Sequence, residues 1–209
     1  MAQLLHIEAS PRKEHSFSTR VANAFIKAYL ETHPGDSVKM LDLWSCALPE
    51  FDGAALAAKY AVLRSNDFTA EQAEAWERIT RAAQALFDAD KLVVSVPMWN
   101  FSIPYKLKHF IDVVTQPGVT FSFSPEKGYS GLVPDKPVAV IYARGGTYAK
   151  GTASESFDLQ TPYLSVWLQS IGLRSIREII VEPTLGAPDA VQKTEDAALN
   201  AVARLARTF

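Results

Sequence analysis

Cysteine is almost missing from this chain, which has one, Cys46, in 209 residues. A single thiol excludes a disulfide framework and any cysteine-based metal site, and it suits a reducing compartment. No apolar run is long enough to span a bilayer. The first residues enter a strand-like run with no charged-then-apolar leader, so no secretion signal is expected. These absences lead to the expectation of a cytoplasmic protein without a membrane partner. Charge of one sign is lacking too: the formal net charge is −2 and no dense Lys/Arg run occurs, which argues against a nucleic-acid surface.

Several catalytic signatures are also missing. Neither G-x-G-x-x-G nor G-x-x-x-x-G-K-[ST] occurs, so no dinucleotide or nucleoside-triphosphate cradle is indicated. There is no G-x-S-x-G elbow of the usual hydrolases and no H-E-x-x-H or other metal-ligand spacing, so no metal is expected. A receiver domain needs acidic residues at the end of its first strand, where this chain has Ala9-Ser10-Pro11.

What is there is an ordinary globular composition, 48% apolar over a length that suits one domain spanning residues 1–209. Residues 3–8, 37–43, 92–96, 137–142 and 175–181 read as strands. The third and fourth are continuous β-branched runs of the kind buried on both faces. Helices are predicted between them. Val21, Ala24, Phe25, Ala28 and Tyr29 recur at helical spacing behind a Ser16 or Ser18 cap. Thr69 opens a helix through Ala73, Trp76, Ile79, Ala83 and Leu86; Ile103-Pro104 opens another; Leu164, Trp167, Leu168 and Ile171 share a face; residues 188–206 form a terminal helix. Residues 124–131 read as a hairpin or flap, and 44–68 as a long connection holding a short helix at 54–60. Five strand–helix alternations make a parallel sheet covered on both faces, whose ligands bind at the carboxyl ends of the strands.

Three loops fall on that edge. Residues 10–18 offer the hydroxyls of Ser10, Ser16 and Ser18 and the positive end of the first helix, which suits a phosphate monoester or, equally, a plain capped helix start. Residues 98–102 set Trp99 and Phe101 around Asn100, either as walls of a slot for a flat, partly polar ligand or as core under a neighbour. Arg144-Gly145-Gly146 either lets a ligand approach the backbone or makes a simple turn. As a set they fit FMN better than a sugar phosphate. Lys106, Lys108 and Asp112 read as helix-surface pairs, and Cys46 as an inert core thiol.

These residues carry a resemblance across nearly the whole chain. Residues 97–108 (Pro-Met-Trp-Asn-Phe-Ser-Ile-Pro-Tyr-Lys-Leu-Lys), Pro117-Gly118-Val119-Thr120-Phe121, Ala143-Arg144-Gly145-Gly146 and Thr161-Pro162-Tyr163-Leu164 follow one another in order. In this the sequence resembles the FMN-dependent NADH:quinone oxidoreductase and azoreductase family. The resemblance implies a flavodoxin-like, doubly wound five-stranded parallel sheet of order 2-1-3-4-5 with helices on both faces. It implies an enzyme moving two electrons from NADH or NADPH to quinones and azo compounds by a ping-pong mechanism. The alternative is a non-enzymatic flavodoxin-like FMN carrier. Ser10, Ser16, Phe17 and Ser18 would hold the phosphate. Pro97, Met98, Trp99, Asn100 and Phe101 would line the ring and ribityl chain, and Ala143, Arg144, Gly145 and Gly146 the pyrimidine side. The chain would be a homodimer with its site at the interface, where Tyr60, Tyr129 and Trp167 are the expected substrate contacts. Tyr148 stands where some relatives have histidine. A phenol there titrates far from neutral pH, so it is only a weak proton-donor candidate.

Overall fold

In a computed structural model all 209 residues are described. Five parallel strands form the central sheet in the order β2-β1-β3-β6-β7. They are β1 (Gln3–Glu8), β2 (Ser37–Asp42), β3 (Lys91–Pro97), β6 (Val138–Ala143) and β7 (Ile176–Val181). β4 (Phe121–Ser124) and β5 (Gly128–Gly131) form a separate antiparallel hairpin. With the hairpin set aside, this is the expected strand order; the hairpin ends where the flap was expected to but starts three residues earlier, at Phe121.

The apolar runs of β3 and β6 are continuous because alternate side chains enter different cores. Leu92, Val94, Val96, Val138, Val140 and Tyr142 face one core; Val93, Ala139, Ile141 and Ala143 face the other. The first core is closed by α3 (Ala70–Asp88), α4 (Tyr105–Val114) and α5 (Gln160–Ile171), which contribute Ile79, Leu86, Phe110 and Leu168. The second is closed by α1 (Phe17–Thr32) and α6 (Pro188–Ala206), through Phe25, Tyr29 and Val202. Burying a side chain of this size contributes about 1.5–3 kcal/mol, so the two-sided core dominates the fold's stability.

Local signals mark the helix boundaries. Thr69 and Gln72 form a reciprocal capping box at the start of α3. Asp52 caps α2 (Gly53–Arg64), and its carboxylate accepts the Ala55 N–H at 3.0 Å. α2 is longer than the expected 54–60 because nothing stops it before Ser65, whose left-handed φ of 54° ends it. Pro104 is the N-cap of α4 rather than part of its first turn. No helix is long and apolar enough to cross a membrane.

Candidate active site

The carboxyl ends of β1, β3 and β6 open into a cleft of about 410 Å³. Its wall brings together the three loops read from the sequence. Ser10, Ser16 and Phe17 lie at one end, Pro97 to Phe101 in the middle, and Ala143, Gly145 and Tyr148 at the other.

The first end is built to receive an anion. Ser16 takes the N-cap position of α1 with extended backbone, yet its side chain makes no capping bond. Its Oγ lies 3.1 Å from Ser18 Oγ instead. The N–H groups of Phe17, Ser18 and Thr19 therefore carry no hydrogen bond in the chain, and the helix dipole adds positive potential at the same place. Thr19 Oγ1 is buried there without a partner. Ordinary N-caps satisfy these groups themselves, so leaving them open favours the phosphate reading over the plain helix start.

An ion cluster beneath the loop fixes its shape. Lys13, at a left-handed φ of 50°, reaches Glu8 Oε1 at 2.6 Å and Asp42 Oδ1 at 2.5 Å. Burial alone would lower the Lys13 pKa, but the bonds to Asp42 and Glu8 outweigh it and hold the ammonium above its ordinary value. Burial likewise pulls Asp42 upward, and its bonds from Lys13, Ser45 and the Trp44 N–H bring it below the usual carboxylate range. Lys13 is thus committed inward. Arg12 is the one charged side chain on the cleft wall.

In the middle, Asn100 and Phe101 both hold left-handed backbone, at φ 47° and 69°. Two such residues in a row are strained for L side chains and mark a functional loop. The Trp99–Ser102 pair closes the turn with reciprocal N–H to carbonyl bonds of 3.0 and 2.9 Å. This leaves the Asn100 and Phe101 N–H groups unbonded and sets Trp99 and Phe101 upright, 36% and 45% exposed. Trp99 is braced by Trp44 and Tyr105, with ring centroids 5.8 and 6.2 Å away. Trp44 is fixed in turn by its indole N–H, which donates to Ala9 O at 3.0 Å. The aromatics are walls and not core.

The family can be read at this point. The family described as having the flavodoxin-like fold matches residues 2–205. An FMN-dependent NADH:quinone oxidoreductase from Desulfotalea psychrophila is 54% identical over 185 residues, covering 88% of this chain and 87% of its own. The chain belongs to the flavodoxin-like family of FMN-dependent NADH:quinone oxidoreductases. Among solved structures, an azoreductase from Bacillus anthracis str. Sterne superposes with a TM-score of 0.90 at 30% identity, covering 100% of both chains. An FMN-dependent NADH-azoreductase from Bacillus anthracis str. Ames Ancestor in complex with FMN does so at 0.83 and 25% identity, covering 99% of this chain and 100% of its own.

Ten of the residues expected at a family flavin site line the cleft, and three do not. Ser18 lies fully buried behind Ser16, and Gly146 sits beside the Tyr148 ring. Arg144 is turned away: its guanidinium is 1% exposed and bonds Gln160, Asp158, Glu182 and Thr161 under the loop, so its side chain cannot touch a ligand in the cleft. Trp167 also departs from expectation. Its indole is 4% exposed, packs edge-on against Phe110 and donates to Thr115 Oγ1 at 2.9 Å, which makes it core. Tyr60 and Tyr129 are 49% and 71% exposed but lie outside this chain's cleft.

Three lining residues carried no assigned role in the sequence reading: Arg12, Thr184 and Leu185. Arg12 was legible as a cation in a phosphate loop. Thr184 and Leu185 reach the cleft because they follow β7, and their N–H groups bond the Arg144 and Gly145 carbonyls at 2.8 and 3.1 Å. His15 points to solvent beside Glu14, and His109 Nε2 donates to Pro49 O at 2.9 Å, so neither serves the cleft. The Lys108–Asp112 surface pair forms as expected, at 2.6 Å. Cys46 is free and half-buried, and burial raises its pKa above the ordinary thiol value.

Proposed function

We propose that this chain is an FMN-dependent enzyme that carries two electrons from NADH or NADPH to quinones and azo compounds. The observation that supports it most is the set of unbonded donors around one cleft: the α1 N-terminus, Asn100–Phe101, and Gly145. That set suits a ligand with an anionic end and a flat polar ring, and the residues present fit FMN. Ser10, Ser16, Phe17 and Arg12 would hold the phosphate by hydrogen bonds, helix dipole and one free guanidinium, with Ser18 behind them bonded to Ser16. Pro97 to Phe101 would line the ribityl chain and one ring face, with Ala143 and Gly145 at the ring's far edge.

When bound, FMN supplies the two-electron redox chemistry. The chain supplies position and electrostatics. The Gly145 N–H would answer negative charge that develops at the ring edge. Tyr148 brings a hydroxyl to the same end, able to donate one hydrogen bond to an acceptor's oxygen or nitrogen. One slot shared by donor and acceptor entails ping-pong kinetics.

The same reading includes a homodimer. Beside the cleft lies a second hollow of about 700 Å³, bounded by Phe51, Tyr105 and Tyr163, that shares Trp99 and Asn100 with it. Tyr60 and Tyr129 are exposed and do not line their own cleft, which suits a role at a partner's. Light scattering should give twice the chain mass; a monomer with full turnover would refute this part. The half-buried thiol suits the cytoplasm.

The test is the visible spectrum of the protein after FMN addition and desalting, then anaerobic NADH, then a quinone. Retained flavin that NADH bleaches and the quinone restores is the expected result. Retained flavin that NADH cannot bleach supports an electron carrier instead. No retained flavin refutes the reading.

A further inference from the structure

Arg144 ranks first by size among the fully buried side chains. A guanidinium out of water is costly, and a buried ion network is weak support for stability in itself. Its placement here has a more specific consequence. Nε donates to Gln160 Oε1 at 3.0 Å, Nη1 to Glu182 Oε2 at 3.3 Å, and Nη2 to Asp158 Oδ2 at 3.0 Å and to Thr161 Oγ1. One side chain thus joins the loop after β6 to the start of α5 and the end of β7. Gln160 extends the link to β3, donating to Val96 O at 3.2 Å.

The backbone of the loop is fixed at the same two ends. The Arg144 N–H donates to Val181 O at 3.0 Å, and the Arg144 carbonyl accepts from the Thr184 N–H and hydroxyl. At the far end the Tyr148 N–H donates to Glu182 Oε2 at 3.1 Å, the same oxygen that takes the guanidinium. Between these anchors the N–H of Gly145, which lines the cleft, makes no hydrogen bond, while Gly146 and Thr147 face solvent. A segment with two glycines would otherwise be free to turn this donor toward water.

We propose that Arg144 is a positioning residue of the flavin site: its buried guanidinium holds the Gly145 donor at the far end of the cleft without touching the ligand. This rests on the FMN reading above. It predicts that Arg144 acts on the ring and not on the phosphate. It also predicts an effect on reduction potential, because N–H donors favour the more negatively charged reduced ring.

The test uses Arg144→Lys, which keeps the charge but loses the planar fork, and Gln160→Met, which removes one partner without changing charge. Dissociation constants for FMN and for riboflavin, which lacks the phosphate, are read by flavin fluorescence, and the potential of bound FMN by redox titration. The expected result is a loss of about tenfold for both flavins in Arg144→Lys, on the scale of one or two lost hydrogen bonds, with a smaller loss in Gln160→Met. The FMN-to-riboflavin affinity ratio should hold, and the potential should move negative. Unchanged affinities and potential with a lowered melting temperature would show a structural strut only and overturn the proposal. A loss confined to FMN would overturn it as well, by placing the effect at the phosphate. If Arg144→Lys does not fold, Gln160→Met decides by the same readings. A wild-type chain that binds neither flavin overturns the function itself, which separates that failure from this one.

Discussion

Acid should strike this protein through His6. The imidazole lies on β1, fully buried, with Nε2 3.0 Å from Ser95 Oγ on the adjacent strand and Nδ1 without a partner. Burial first, and the Lys13 charge second, lower its pKa from 6.5 to about 4. The unfolded chain therefore takes up a proton near pH 6.5 that the folded chain refuses. Stability is complete above that value, falls as the pH drops from 6.5 toward 4, and levels below it. At about 1.36 kcal/mol per unit, the loss is roughly 3 kcal/mol. That is a large share of the 5–15 kcal/mol that typically holds a domain.

The measurement is urea unfolding of wild type and His6→Gln at several pH values from about 7 to about 4. Wild type should lose roughly 3 kcal/mol more than the variant over that span. Asp42, whose folded pKa lies below 3.8, contributes stability that is lost only at lower pH, and both proteins share it. The variant's absolute stability is immaterial; the difference in slope is what counts. Parallel curves would refute the assignment of a neutral imidazole buried on β1. Since the proton would also repel Lys13, flavin release in this window should be weaker in the variant.

Four further outcomes follow from the geometry. Asn100→Ala and Asn100→Gly should both weaken FMN binding about tenfold in a fluorescence titration, while only the alanine variant melts earlier, by about 1 kcal/mol of left-handed strain. Gly131→Ala should cost about 3 kcal/mol in chemical denaturation, because its Cβ would stand 2.1 Å from the Gly172 nitrogen where the hairpin meets the end of α5. Lys13→Met should leave the buried Glu8 carboxylate unpaired and weaken FMN more than riboflavin, since it frees the phosphate loop and not the ring loop. Thr69→Ala should cost about 1 kcal/mol through its lost cap and leave the flavin dissociation constant unchanged.

The sheet was legible because strands buried on both faces leave a plain mark, and β3 and β6 are such strands. The cleft was legible because its aromatics and glycines sit directly after those strands. Arg144 was not, for a physical reason: its partners Asp158, Gln160 and Glu182 lie 14, 16 and 38 residues away. Nothing local distinguishes a guanidinium that turns inward from one that meets a ligand. Trp167 is a different case. The spacing of Leu164, Trp167, Leu168 and Ile171 already placed it on the apolar face of α5, and the packing against Phe110 agrees with that periodicity rather than with a substrate role. α2 was under-read because its alanine-rich run has no sharp polar face to mark its length.

The treatment of charge in the three loops has a chemical logic. Two cations of these loops are committed inward: Lys13 to Glu8 and Asp42, Arg144 to Asp158 and Glu182. Arg12 remains on the wall, beside the open N-terminus of α1. The ring end presents a neutral N–H group and a phenol, with no lysine, arginine or histidine lining it. An anionic tail is thereby favoured at one end only. Charge that develops at the other end meets dipoles instead of a full cation, so its stabilisation depends on how accurately those dipoles are aimed. A permanent cation would act over a wide range of geometry; backbone donors act only over a narrow one. A buried guanidinium holding both anchors of a glycine-containing loop is what such a design requires.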